Sequence, residues 1–97
     1  MIAAFSITPL GAGESVGELV ADCVRIVRAS GLANETNAMF TNVEGPYDDV
    51  MAVIKACVYH VATKAPRVSV VVKMDVKADD RGGRMTAKVQ SVEDRLS

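Results

Sequence analysis

The 97-residue sequence predicts an α+β domain in which a four-stranded antiparallel sheet is covered on one face by two helices. Three observations lead there. The segment from Arg67 to Lys77, RVSVVVKMDVK, alternates almost without a break. It sends Val68, Val70, Val72, Met74 and Val76 to one side and Ser69, Val71, Lys73, Asp75 and Lys77 to the other, and side chains in a strand have period two. Two other stretches repeat apolar residues at helical spacing. Glycine and proline breaks separate these runs, so strands and helices interleave along the chain.

Ile2 to Leu10 alternates too, with Ala3, Phe5 and Ile7 against Ala4, Ser6 and Thr8, and Pro9 ends this strand or sits at an edge of the ladder. Gly11-Ala12-Gly13-Glu14 then turns the chain, and Ser15 followed by Glu18 reads as a capping box opening a helix. Val16, Leu19, Val20, Cys23 and Val27 form its apolar stripe, and Gly31 suits a left-handed closing residue. From Asn34 to Gly45 there is room for two short strands with a tight turn near Ala38 to Phe40, although no Asn-Gly or Asp-Gly marks it. Gly45-Pro46 opens the second helix, where Asp48 and Asp49 complement the helix dipole and Tyr47, Val50, Met51, Ile54, Cys57, Val58 and Val61 face the core. Pro66 stops it, and the alternating strand follows. A polar loop from Asp79 to Arg84 leads to Met85, Val89, Val92 and Leu96, whose spacing predicts a short terminal helix.

This order is the ferredoxin-like βαββαβ pattern with a short C-terminal helix, one domain over residues 1–97. The first and third strands take the sheet centre and the last lies beside the first. The face away from the helices then carries Ala4, Ser6, Thr8, Ser69, Val71, Lys73 and Asp75. It is too polar for a core and too apolar for free water, so another subunit or a small polar ligand is expected to cover it. A chain this small buries roughly 60–65% of its unfolded surface, which makes self-association useful to its stability.

Apolar residues make up 49% of the chain and aromatic residues only 4%, so the core is built from aliphatic side chains and Met. A net charge of −1 without a basic stripe argues against nucleic acid as a partner. The N-terminal stretch lacks the basic start of a signal peptide, and no apolar run approaches the roughly 20 residues of a membrane span. Cys23 and Cys57 both fall on apolar helical positions and read as buried reduced thiols of a cytoplasmic protein. With one His, they lack the paired spacing of a closed zinc site, so no metal is expected.

Gly11, Gly13 and Gly17 imitate a dinucleotide fingerprint, but the last interval is one residue too long and Glu14 would face the pyrophosphate. His60 stands alone on its helix without a serine or cysteine partner, and Asp75, Asp79 and Asp80 lack the rhythm of a calcium loop. No catalytic residue is singled out. The set Ser6, Thr8, Glu44, Lys73 and Asp75 is more suggestive. Carboxylates beside hydroxyls can accept from an amino-substituted heterocycle or pair with a ligand cation, and the same set also suits a salt-bridged subunit interface without a ligand.

Four motifs in order cover nearly the whole chain: Ser6, Pro9 and Gly11; Thr41, Glu44 and Gly45; Lys73 and Asp75; and Lys88, Val89 and Val92. In this the chain resembles the thiamine-binding, YkoF-like family of small single-domain proteins, with Phe40 standing where a small residue is commoner. The resemblance implies sheets packed face to face in homodimers that pair into homotetramers. It also implies binding of thiamine, or of its hydroxymethylpyrimidine moiety, without catalysis and without any further cofactor. On that reading Glu44 or Asp75 accepts from the 4-amino group, Ser6 and Thr41 add hydrogen bonds, Phe5, Met39 or Phe40 touch the ring, and Lys73 completes the site. A structural oligomeric module without a small ligand is the alternative.

Overall fold

A computed structural model describes residues 1–97. The elements are β1 (Ile2–Leu10), α1 (Val16–Ala29), β2 (Ala33–Thr36), β3 (Thr41–Glu44), α2 (Tyr47–Ala62), β4 (Arg67–Asp75) and α3 (Arg84–Leu96). The sheet order is β2-β3-β1-β4 and every pair is antiparallel, the ferredoxin-like topology with an added terminal helix.

Register assigns the two faces. Ala3 lies opposite Val43 and Met74, and Phe5 opposite Thr41 and Val72, on the face beneath the helices. Ala4 lies opposite Asn42 and Lys73, Ser6 opposite Val71, and Thr8 opposite Ser69, on the open face. Ala3, Phe5 and Val43 of the sheet pack against Leu19, Cys23 and Val27 of α1 and Val50, Ile54, Cys57 and Val61 of α2.

The most regular strand in the sequence takes an unexpected place. β4 is an edge strand, and its helix-side residues Val70, Val72 and Met74 remain 38%, 36% and 45% exposed. α1 and α2 sit over the sheet centre, so only Val68 of that row packs against the core. Alternation reports which way side chains point but not how far a layer of helices reaches.

Local chemistry explains most boundaries. Gly11 has φ +78°, and a Cβ there would stand 2.7 Å from Pro66 Cγ, so the β1 exit requires glycine. Gly31, with φ +78°, follows the end of α1 as expected. The anticipated capping box at Ser15 does not form. Gly13–Ser15 is a 3-10 turn running into α1, Ser15 already has helical backbone angles, and its side chain makes no capping bond. With the preceding turn already helical, the Ser15 hydroxyl is not presented to the next amides as an N-cap requires.

α3 begins one residue earlier than its apolar spacing suggests and buries none of its side chains. It is held at its start. Glu44 Oε2 accepts from the Arg84 amide at 2.8 Å, and Glu44 Oε1 accepts from the Met85 amide at 3.2 Å. A carboxylate from β3 thus caps a helix forty residues on, satisfying amides that have no partner within the helix. Arg84 also pairs with Asp75 at 2.8 Å and Asp80 at 3.0 Å. No helix is long and apolar enough to cross a membrane.

Candidate ligand-binding cleft

β3 begins at Thr41, opposite Phe5, so β1 has β4 alone beside it from Ser6 to Leu10. The sheet therefore has a notch. Pro9, which has no amide to donate, sits where the β3 side is unpaired. In the notch lies a cleft of about 190 Å³, floored by Phe5, Leu19, Cys23 and Val61 and walled by the continuous stretch Thr36–Thr41. No Asp, Glu, Lys, Arg or His lines it. Its polar character comes from Ser6, Thr36, Asn37 and Thr41, and from whichever β1 main-chain groups face the missing strand.

Asn37 sets the wall. Its Oδ1 accepts from the Met39 and Phe40 amides at 2.9 Å each, and its own amide donates to the Phe40 carbonyl at 2.9 Å. This Asx-type turn replaces the Asn-Gly signal a two-residue hairpin would carry. The expectation of a turn across Ala38 to Phe40 holds. Asn37 is not among the residues singled out from sequence; the one signal for it is an Asn directly before the turn, where its side chain can accept from the amides two and three residues on.

Of the seven residues expected at the ligand, the structure brings Phe5, Ser6, Met39 and Thr41 together at this cleft, with Phe40 beside them. Strand alternation directs the Ser6 hydroxyl to the open face, so Ser6 borders the cleft through its main chain. Glu44, Lys73 and Asp75 lie outside it. Glu44 is 6% exposed and both its oxygens are occupied by α3. Asp75 lies opposite Ile2, not beside Thr8, and is bound by Arg84 and, at 2.7 Å, by Lys88. The hydrogen bonds from Arg84 first and Lys88 second hold the Asp75 carboxyl down to about 2. Lys73 stands unpaired on the open face, opposite Ala4. A two-residue period cannot show that the first turns of α3 return to this end of the sheet.

His60 has a partner that sequence could not reveal. Its Nε2 is 2.8 Å from Asp22 Oδ2, which ties α2 to α1, and that hydrogen bond lowers the Asp22 carboxyl below its ordinary range. Beneath it, Cys23 and Cys57 are free and buried, each Sγ close to the other's carbonyl oxygen, at 3.8 Å and 3.6 Å. The hydrogen bond with Cys23, together with burial, pushes the Cys57 thiol up.

The chain has relatives among known proteins. The profile of the family described as "Thiamine-binding protein" matches residues 3–93. The UPF0045 protein Mb1933 of Mycobacterium bovis is 51% identical over 94 residues, which are 96% of this chain and 91% of that protein. The crystal structure of the hypothetical protein MJ1052 of Methanocaldococcus jannaschii superposes with a TM-score of 0.78 at 31% identity, covering 93% of this chain and 94% of that one. TM0486 of Thermotoga maritima, named as a candidate thiamine biosynthesis/salvage protein, superposes with a TM-score of 0.77 over 92% of this chain and 96% of its own. At 17% identity that likeness is one of fold.

Proposed function

Because the chain belongs to the thiamine-binding protein family, we propose that it binds thiamine, or its hydroxymethylpyrimidine moiety, in the cleft between β1, α1 and the β2–β3 turn, and catalyses no reaction. The single observation that carries this reading is a cleft free of charged side chains, set where the sheet leaves one side of β1 unpaired. A volume of about 190 Å³ is below the roughly 300–1,000 Å³ of a drug-sized site. It suits one ring, so the pyrimidine is the half enclosed and the thiazolium stays at the mouth. Phe5, Met39 and Phe40 supply ring contacts, and Thr41 and the main chain at Ser6 supply hydrogen-bond partners for amino and ring-nitrogen groups. The lining offers no carboxylate, imidazole or lysine for acid–base work, which supports binding without chemistry.

The same reading includes self-association in the cytoplasm, as a homodimer or homotetramer through the open sheet faces. Val71, exposed at 55%, stands halfway along the edge strand β4 on that face, opposite Ser6 and flanked by Ser69 and Lys73. The buried reduced thiols support the compartment.

Isothermal titration with thiamine and with hydroxymethylpyrimidine, on protein of known oligomeric state, tests the proposal. Micromolar or tighter binding, weakened at least ten-fold by Thr41→Val or Met39→Ala, is expected. No heat with either ligand from a cleanly oligomeric protein overturns the binding reading in favour of a ligand-free structural module. The exposed Val89, Val92 and Leu96 of α3 are the observation that favours that second reading.

A further inference from the structure

The wall of the cleft is a single stretch of chain, Thr36–Thr41, at the far end of the sheet. No proline fixes its backbone. Ala38 and Met39 are exposed, so packing against the core does not hold the tip either. What holds it is the Asn37 carboxamide, whose Oδ1 bonds the Met39 and Phe40 amides together, closed by the Asn37 amide to the Phe40 carbonyl. Met39 and Phe40 both line the cleft, and Thr41 follows directly.

The geometry points to Asn37 as the positioning residue of the cleft, acting through its side-chain oxygen to present Met39, Phe40 and Thr41 to a bound ring. The inference rests on the ring-binding reading above and adds the element that shapes the site. Without the Oδ1 bonds the two amides turn to solvent, the tip samples many backbone states, and binding must order it each time. The carboxamide NH2 is not needed for this role, since both bonds are accepted by oxygen. Aspartate therefore preserves the function, whereas alanine removes it.

The test uses the full chain with Asn37→Ala and Asn37→Asp. Two readouts are taken: titration with hydroxymethylpyrimidine and thiamine, and amide hydrogen exchange at Met39 and Phe40. Asn37→Ala is expected to weaken binding about ten-fold and to speed exchange at both amides about ten-fold, through the loss of two solvent-exposed hydrogen bonds. Asn37→Asp is expected to restore both to within about three-fold of wild type. The melting temperature serves as the check on folding, because exchange elsewhere in β1 and α2 should be unchanged. Wild-type affinity in Asn37→Ala overturns the assignment, as does an Asn37→Asp protein no better than Asn37→Ala. If wild type binds neither compound, the vitamin-binding reading fails. Exchange then still decides whether Asn37 holds the wall: rescue by aspartate supports it, and unchanged protection in Asn37→Ala overturns it.

Discussion

The carboxylate of Glu44 receives the amide of Arg84 at 2.8 Å, so a strand in the middle of the sheet anchors the first turn of the terminal helix. The Met85 amide completes the pair, and Glu44 is buried where it does this. A side chain anticipated to accept from a ligand amino group is thus committed to two backbone amides of its own chain.

Replacing Glu44 by Ala should detach α3 more than it disturbs the core. Two charge-assisted bonds to amides in a buried setting are lost, for a cost of about 1–3 kcal/mol. Thermal unfolding by circular dichroism should show the lower melting temperature, and exchange at Arg84 and Met85 should accelerate while Ala3 and Val43 stay protected. Unchanged protection at Arg84 would contradict the capping role.

Asp75 predicts an acid limb. Arg84 and Lys88 hold its folded pKa near about 2, below the roughly 3.9 of an unfolded Asp. A group depressed on folding adds stability in full above the unfolded value, and loses it as pH falls through the folded one. Asp75→Asn should therefore melt lower than wild type at pH 7, with the gap narrowing from about pH 4 and closing near pH 2. Because Asp75 and Lys88 are partly exposed, 1 M salt should shrink the gap. A gap independent of pH would show that the pairs contribute nothing through charge.

Cys57 predicts slow chemistry. It is buried and its thiol is raised, so little thiolate is present to react, whereas the same hydrogen bond between the two thiols lowers the Cys23 thiol and leaves burial alone to protect it. Alkylation of Cys57 in native protein should run more than about ten-fold slower than in denatured protein. A ligand in the cleft should slow alkylation of Cys23, which lines the floor. Mass spectrometry of the labelled peptides separates the two sites, and equal rates at both with and without ligand would contradict the placement of Cys23.

Gly11→Ala tests the β1 exit. The new Cβ meets Pro66 Cγ at 2.7 Å in a left-handed backbone, a conformation that costs an L residue about 1–2 kcal/mol before the clash is counted. A melting temperature lowered by several degrees is expected. Gly13→Ala, with φ +62° and nothing within 4 Å, should show the backbone cost alone.

The order of elements, the phase of each strand and the apolar stripes of α1 and α2 were determined by the sequence itself. Period two and period 3.6 are local properties that follow directly from residue order. Phe5, Val43, Leu19, Cys57 and Val61 are core residues for that reason. The family resemblance, carried by motifs such as Thr41-x-x-Glu44-Gly45, was legible in the same way. Tertiary structure alone decided where the layers end and which polar groups meet. It exposed the best-patterned strand at the sheet edge, paired His60 with Asp22, and gave Glu44 and Asp75 to α3. It also stopped β3 opposite Phe5 and so opened the cleft. These outcomes depend on contacts between residues far apart in the chain, Glu44 with Arg84 or Gly11 with Pro66, and no local period encodes a distance across the fold.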